Sequence, residues 1–320
     1  MQPIVLRQVA ESLSVIIDLM SPVLANHQLR VAHIAGRLAE SAGMIEAERQ
    51  ELVLGALLHD CGALSISERK KIKKFEFDLD EDRARQHAEA GFRLLRDFEP
   101  FTNVANVVRY HHRPWGHGKG QTVGGEAVPQ SAQIVHLADR IDVLLDYRQD
   151  LLTQVETVEG RVRGGAGPQF DPQLVDLFVE LSTREYFWFD LEAVARHAAM
   201  EGDSVPSATG IQVADLLGLA KLFSRMIDFR SRFTATHSQG VAACVGKLAE
   251  LLGMEGEERQ MLVTAGYLHD LGKLAVPREL IEKKGPLTLA ETSLLKRHSF
   301  YSYWILRRIG GLEKVADWAA

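Results

Sequence analysis

A His-Asp doublet occurs twice in this chain, at His59-Asp60 and His269-Asp270, and the sequence around it repeats without a gap at an offset of 210 residues. Residues 27–64 (HQLRVAHIAGRLAESAGMIEAERQELVLGALLHDCGAL) match residues 237–274 (HSQGVAACVGKLAELLGMEGEERQMLVTAGYLHDLGKL) at 19 of 38 positions. An internal repeat of this length means two copies of one structural unit, and it constrains the fold more than any other feature of the chain. The match extends upstream, where Ser14, Ile17, Asp18 and Ser21 recur as Ser224, Ile227, Asp228 and Ser231. Downstream, one inserted residue sets His87 opposite His298.

The repeated segments carry helical periodicity. Val5, Leu6, Val9, Leu13, Ile16, Ile17 and Met20 follow the i, i+3, i+4, i+7 stripe of an amphipathic helix that Pro22 limits. A second helix follows through Val31, Ile34, Ala35 and Leu38, with Gly43 as its stop. Leu52–Leu58 is apolar on every side, as a helix at the centre of a bundle is. With no sustained strand alternation, the expectation is an all-α protein of two helical bundles in tandem, the second incomplete. Residues 1–190 form the first, 213–320 the second, and 191–212 the linker, centred on Glu201–Gly210 (EGDSVPSATG). Loops are expected at Arg113–Pro129 and Glu159–Pro168, and helices near Phe170–Leu181 and Phe187–His197. Tyr186-Phe187-Trp188-Phe189 reads as interdomain packing, and the Lys70–Lys74 run as a solvated face.

Composition excludes several classes of function. A formal net charge of −6 over 320 residues gives no broad basic surface for a nucleic-acid polymer. Two cysteines in separate apolar helical runs do not make a disulfide framework, and no apolar run approaches the ~20 residues of a membrane span. The expected location is the cytoplasm.

What remains is chemistry. The first copy holds His27, His59, Asp60, His87, His111, His112 and Asp139, all imidazoles or carboxylates, a set that suits divalent transition metals. Adjacent helical residues project about 100° apart, so a doublet on one helix cannot serve a single face. Near a helix end, however, its two side chains can aim at two neighbouring points. Gly62 and Pro114 follow the two doublets closely, which places both doublets near helix termini. An aspartate between two metal positions can then bridge them, while the histidine beside it serves one. Two divalent ions bring four positive charges against the two negative charges of Asp60 and Asp139, so such a centre keeps a surplus for a phosphate. Paired metals ~3.5–4 Å apart stabilise both the attacking and the leaving oxygen of a phosphoryl displacement. The residues therefore predict a binuclear, metal-dependent phosphohydrolase with Asp60 and His59 at its catalytic heart.

The order H…HD…H…HH…D, with AHIAGRLAE before the first doublet and ADRIDVLLDYR at the end, resembles the HD phosphohydrolase superfamily, and within it the HD-GYP branch. The likeness covers most of residues 1–185 and, in partial form, about 215–320. It implies hydrolysis of cyclic di-GMP by two metals, Fe or Mn first, with Zn, Co or Ni also suited. Carried over, His27, His59, Asp60 and Asp139 would hold one metal, and Asp60, His87, His111 and His112 the other. The chain also departs from that pattern. Ala63 stands where the HDxGK motif has a lysine that approaches the substrate phosphate, and HHRPWGHGKG replaces the HHE…GYP loop. Val23 stands where some members supply a third-metal glutamate. Arg113, His117 or Lys119 could stand in for the missing lysine. The second copy keeps His237, His269, Asp270, Lys273 and His298, but the chain ends before any counterpart of the HH pair, so it is either a degenerate regulatory module or a cut domain. The expected substrate is a cyclic dinucleotide or related phosphodiester. The competing readings are a non-catalytic signalling module that binds metal or nucleotide, and a hydrolase of mononucleotides. A second copy of the chain or a signalling protein would be the macromolecular partner.

Overall fold

The computed structural model describes residues 3–19, 25–63, 81–197, 210–211, 215–230 and 236–320, and its described residues are helical almost throughout. Val23, Lys70–Lys74 and most of the Glu201–Gly210 linker lie outside them. The chain divides into two compact units. One runs from α2 (His27–Ser41) through α3 (Glu46–Leu58), α4 (Glu81–Leu95), α5 (Thr102–Tyr110), α6 (Gln130–Leu144), α7 (Val155–Gly164) and α8 (Pro172–Ser182) to α9 (Glu185–His197). The other contains α1 (Leu6–Asp18), α10 (Leu216–Arg230), α11 (His237–Leu251), α12 (Gly256–Leu268), α13 (Arg278–Ile281), α14 (Leu289–Arg307) and α15 (Glu313–Ala319). Among the described residues strand is confined to two short antiparallel pairs, β1 (Ile4–Val5) with β4 (Gly210–Ile211) and β2 (Thr122–Val123) with β3 (Glu126–Ala127).

The first unit is built around α2, α3 and α6. In α3 the buried run Leu52, Leu54, Gly55, Ala56, Leu57, Leu58 packs against α2, α5 and α6 at once, which is why its sequence lacks a polar face. A Cβ on Gly55 would stand 2.6 Å from Val107 of α5, so the close approach of these two helices depends on that glycine. Gly43 closes α2 at φ 71, and Gly253 closes α11 at the same angle, so both copies use one helix stop. Asp171 caps α8 by accepting from Gln173 N, with Pro172 at its first position.

Four sequence expectations change here. The offset set α1 with the first copy, yet it folds into the second unit, where Leu6, Val9, Leu13 and Ile16 are buried and the helix packs on the 3-10 turn Leu271–Ala275 and on α14. An amphipathic stripe states that a face must be covered, not which element covers it. Helix α9 runs to His197, and Gly210 and Ile211 pair with β1, so both ends of the expected 191–212 linker are regular structure. The Glu159–Pro168 loop is half helix, since α7 reaches Gly164, and Phe187 and Trp188 pack inside the first unit rather than between domains. The Trp188 ring lies edge-on to Phe178 and its indole N–H donates to Ser182 O at 2.9 Å.

Candidate metal centre

Helix ends bring the ligand-type residues together. His59 is the C-cap of α3 and Asp60 stands in the turn beyond it; His111 is the C-cap of α5, followed by His112. Helix α2 opens on His27, α4 carries His87 and α6 carries Asp139. The turn after the first doublet exists because Gly62 has no side chain: a Cβ there would stand 2.1 Å from His87 O and 2.5 Å from Gly91 N. The same holds after the second doublet, where a Cβ on Gly272 would meet His298 O at 1.9 Å. In both copies this glycine lets the helix bearing the next histidine lie directly on the doublet.

Two groups of ligand atoms result, His27–His59–Asp139 and Asp60–His87–His111–His112, each with its atoms within 4.8 Å of one another. A metal about 2.0–2.2 Å from each ligand needs donor atoms about 3–4 Å apart. The separations fall there: His27 Nε2 to Asp139 Oδ1 is 3.3 Å, His87 Nε2 to Asp60 Oδ1 is 3.4 Å, and His87 Nε2 lies 3.4 Å from His111 Nε2 and 3.0 Å from His112 Nε2. The tautomers are fixed from behind. His59 Nδ1 donates to Ala56 O at 2.7 Å and His111 Nδ1 to Val108 O at 2.6 Å; since a carbonyl can only accept, Nδ1 carries the proton and each ring turns its Nε2 to the ligand groups. His59 Nε2 has no hydrogen-bond partner among the described residues, although the residue is fully buried. Burial, followed by the charge of neighbouring imidazoles, holds His111 and His112 well below the ordinary histidine range and so neutral. Buried lone pairs converging without a donor are a defect in a protein interior and an asset to a cation. The donor set fits a divalent metal.

The opposite side of His27 contains residues that the sequence did not single out. Its Nδ1 donates to Asp142 Oδ2 at 2.6 Å, and Asp142 also accepts from Arg30 Nε and from the Tyr147 hydroxyl, each at 2.6 Å. Burial alone would raise the Asp142 pKa, but Arg30 and His27 outweigh it and keep the carboxyl ionised far below its usual range. Burial likewise works against a charged His27, yet Asp139 and Asp142 push its pKa up to about 10. A carboxylate behind a ligand histidine orients the ring and raises its basicity. The available signal was spacing: Asp142 lies one helical turn beyond Asp139 on α6. Asp142→Asn is expected to weaken metal binding about 10–100-fold. Leaving the buried Arg30 without its anion should also cost about 3 kcal/mol of stability. Metal titration and thermal melts check the two effects separately.

The remaining expected residues lie further out. Arg113 is half-buried and its carbonyl accepts from Gln133 Nε2 at 3.1 Å, whereas His117 and Lys119 are exposed in the 113–129 loop. His33 stacks on Phe187, and His136 donates through Nδ1 to His111 O at 2.8 Å. In the second unit His237, His269 and Asp270 form a third, more open group, with His237 Nε2 at 3.3 Å from His269 Nε2 and His298 Nε2 at 3.5 Å from Asp270 Oδ1. There Lys273 Nζ lies 2.5 Å from Asp270 Oδ2, so a protein cation already occupies part of that carboxylate.

Comparison with known proteins places this geometry. HD domain families match residues 24–144 and, separately, 221–320. The 3′3′-cGAMP-specific phosphodiesterase 1 of Vibrio cholerae is 30% identical over 307 residues, which is 92% of this chain and 69% of that protein. The chain belongs to the HD phosphohydrolase superfamily. It carries two HD domains in tandem, and their His-Asp doublets are the two described above. A cyclic di-GMP phosphodiesterase of Thermotoga maritima is 28% identical over 190 residues, and this HD protein spans 54% of its own length and 49% of that relative in the match. A crystal structure of a cyclic GMP-AMP-specific phosphodiesterase from V. cholerae shares the fold, with a TM-score of 0.66 over 95% of this chain and 79% of that one at 24% identity. HD enzymes use divalent metals, and the two His/Asp groups of the first HD domain are of the kind that binds them. No helix among the described residues is long and apolar enough to cross a membrane.

Proposed function

We propose that the first HD domain hydrolyses a cyclic dinucleotide, of the cyclic GMP-AMP or cyclic di-GMP kind, at a binuclear metal centre. The chain is a metal-dependent phosphodiesterase. The observation that carries the binuclear reading is the orientation of Asp60. Its Oδ2 lies 4.0 Å from His27 Nε2 and 3.6 Å from His59 Nε2, while its Oδ1 faces His87 Nε2 at 3.4 Å. One carboxylate thus presents an oxygen to each ligand group, as a bridging ligand must. His27, His59, Asp60 and Asp139 would hold one ion and Asp60, His87, His111 and His112 the other. Ions so placed would activate a water and neutralise charge developing on the phosphodiester. The protein's own part is to keep these donors dry and oriented, with Nδ1 of His59, His111 and His27 turned to Ala56 O, Val108 O and Asp142. Relatives named for cyclic GMP-AMP and cyclic di-GMP phosphodiesterases support the substrate class.

One feature favours a second reading, a centre that binds without turnover: Ala63, fully buried, stands where the second copy has Lys273. The deciding experiment quantifies Fe, Mn and Zn in the purified protein and assays 3′3′-cGAMP, cyclic di-GMP and bis(p-nitrophenyl) phosphate. Two metals per chain with turnover of a cyclic dinucleotide, lost on chelation and restored by Fe or Mn, is the expected result. Metal-loaded protein that binds the dinucleotide and leaves it intact would establish the second reading instead.

A further inference from the structure

Helix α6 carries more than Asp139. Gln133, His136 and Arg140 follow one another at i, i+3 and i+7, so they share one face of the helix, and all three are buried. Each has a polar atom without a hydrogen-bond partner among the described residues: Gln133 Oε1, His136 Nε2 and Arg140 Nη1. Interiors seldom leave such atoms unsatisfied, and three on one helical face beside a ligand group call for a partner. The rest of each side chain is tied down. Gln133 Nε2 donates to Arg113 O, His136 Nδ1 to His111 O, and Arg140 Nε to Asp139 Oδ2 at 3.1 Å. These bonds define what is still wanted. His136 gives its proton to a carbonyl, so its Nε2 is an acceptor; Gln133 Oε1 is an acceptor; Arg140 Nη1 is a cationic donor.

We infer that this face of α6 is a nucleotide-recognition strip, in which Arg140 takes a phosphate oxygen and His136 and Gln133 accept from hydroxyl or amine donors of the ribose and base. The pattern is specific. A phosphate offers only acceptors, which Arg140 satisfies and the other two atoms cannot use. A ligand that answers all three must carry an anion together with O–H or N–H donors, as a nucleotide does. Arg140 also resolves the missing lysine. In the second copy Lys273 places its cation on Asp270 of the doublet, whereas in the first, where Ala63 replaces it, the buried cation is Arg140 on Asp139. Gln133 continues the strip into a cleft of about 780 Å³ beside Trp115 and Gln130, large enough for a base.

The inference rests on the proposed phosphodiesterase reading but is tested apart from it, by calorimetric binding of GMP and of inorganic phosphate to the metal-loaded protein. His136→Asn keeps a donor for His111 O and deletes the Nε2 acceptor. It should weaken GMP binding about 5–10-fold and leave phosphate binding unchanged. Arg140→Gln should weaken both about 10–100-fold, with Arg140→Lys recovering part of the loss. In turnover, His136→Asn should raise KM for cyclic dinucleotides but not for bis(p-nitrophenyl) phosphate, which has no ribose or base. GMP affinity unchanged in both variants would overturn the strip. So would loss of metal in step with loss of GMP binding, because the strip would then only support the ligands. Should Arg140→Gln not fold, Arg140→Lys and His136→Asn decide it. Wild-type protein that binds GMP through this strip yet hydrolyses no cyclic dinucleotide would refute the proposed activity and leave the strip standing.

Discussion

Asp60→Ala is expected to lower phosphodiester hydrolysis by at least about 10³-fold and to reduce bound metal from two ions per chain to one or none. The size of the effect follows from position. Every other ligand-type residue of the first HD domain faces one group, whereas Asp60 lies between both, with separate oxygens toward His59 and His87. Its removal takes a negative charge from a place where His27, His59, His87, His111 and His112 crowd together and can tolerate cations only with carboxylate help. Asp60→Asn is the sharper variant, since it keeps the shape and deletes the charge. Elemental analysis and steady-state kinetics on the same preparations check the outcome. Retention of both metals and of turnover in either variant would sink the bridging role.

Gly62→Ala should unfold the site rather than merely empty it. A methyl group at 2.1 Å from His87 O meets backbone, not a flexible side chain, so α4 must move away from the end of α3. The expected cost is about 3 kcal/mol or more, roughly 6–12 °C in the melting temperature of a unit of this size. Because α4 carries His87, the Asp60–His87–His111–His112 group should lose its metal as well. Gly272→Ala is the internal control. It puts a methyl at 1.9 Å from His298 O in the other unit, and should lower stability similarly while leaving the metal content of the first HD domain intact. Calorimetric melts with parallel metal analysis separate the two cases. Equal metal loss in both variants would show that the two units do not hold their centres independently.

Much of this was legible along the chain because it is local. Helical stripes such as Leu6, Val9, Leu13 and Ile16 follow from a period of 3.6, and the placing of the doublets at helix ends follows from Gly62 and Pro114. The seven ligand-type residues stood out because imidazoles and carboxylates are rare inside apolar helical runs, and the structure gathers all seven into two adjoining groups. Asp142 is less legible, since an aspartate in a helix is usually solvated and nothing local says that Arg30, 112 residues away, will lie on it. The same holds for Arg140, whereas Arg113 directly follows the HH pair and Lys119 lies in the loop beyond it.

The amino-acid sequence by itself determined the class of the protein, two copies of one helical unit with a metal-binding type of residue set in the first. It did so because repeat, periodicity and residue chemistry are written in neighbouring positions. The tertiary structure decided which faces meet: that α1 is covered within the second unit, that Asp142 stands behind His27, and that Gln133, His136 and Arg140 line up beside the ligand groups with atoms left unpaired. Those facts depend on pairs far apart in the chain, and an amphipathic face or a buried charge specifies that it needs a partner without specifying which one.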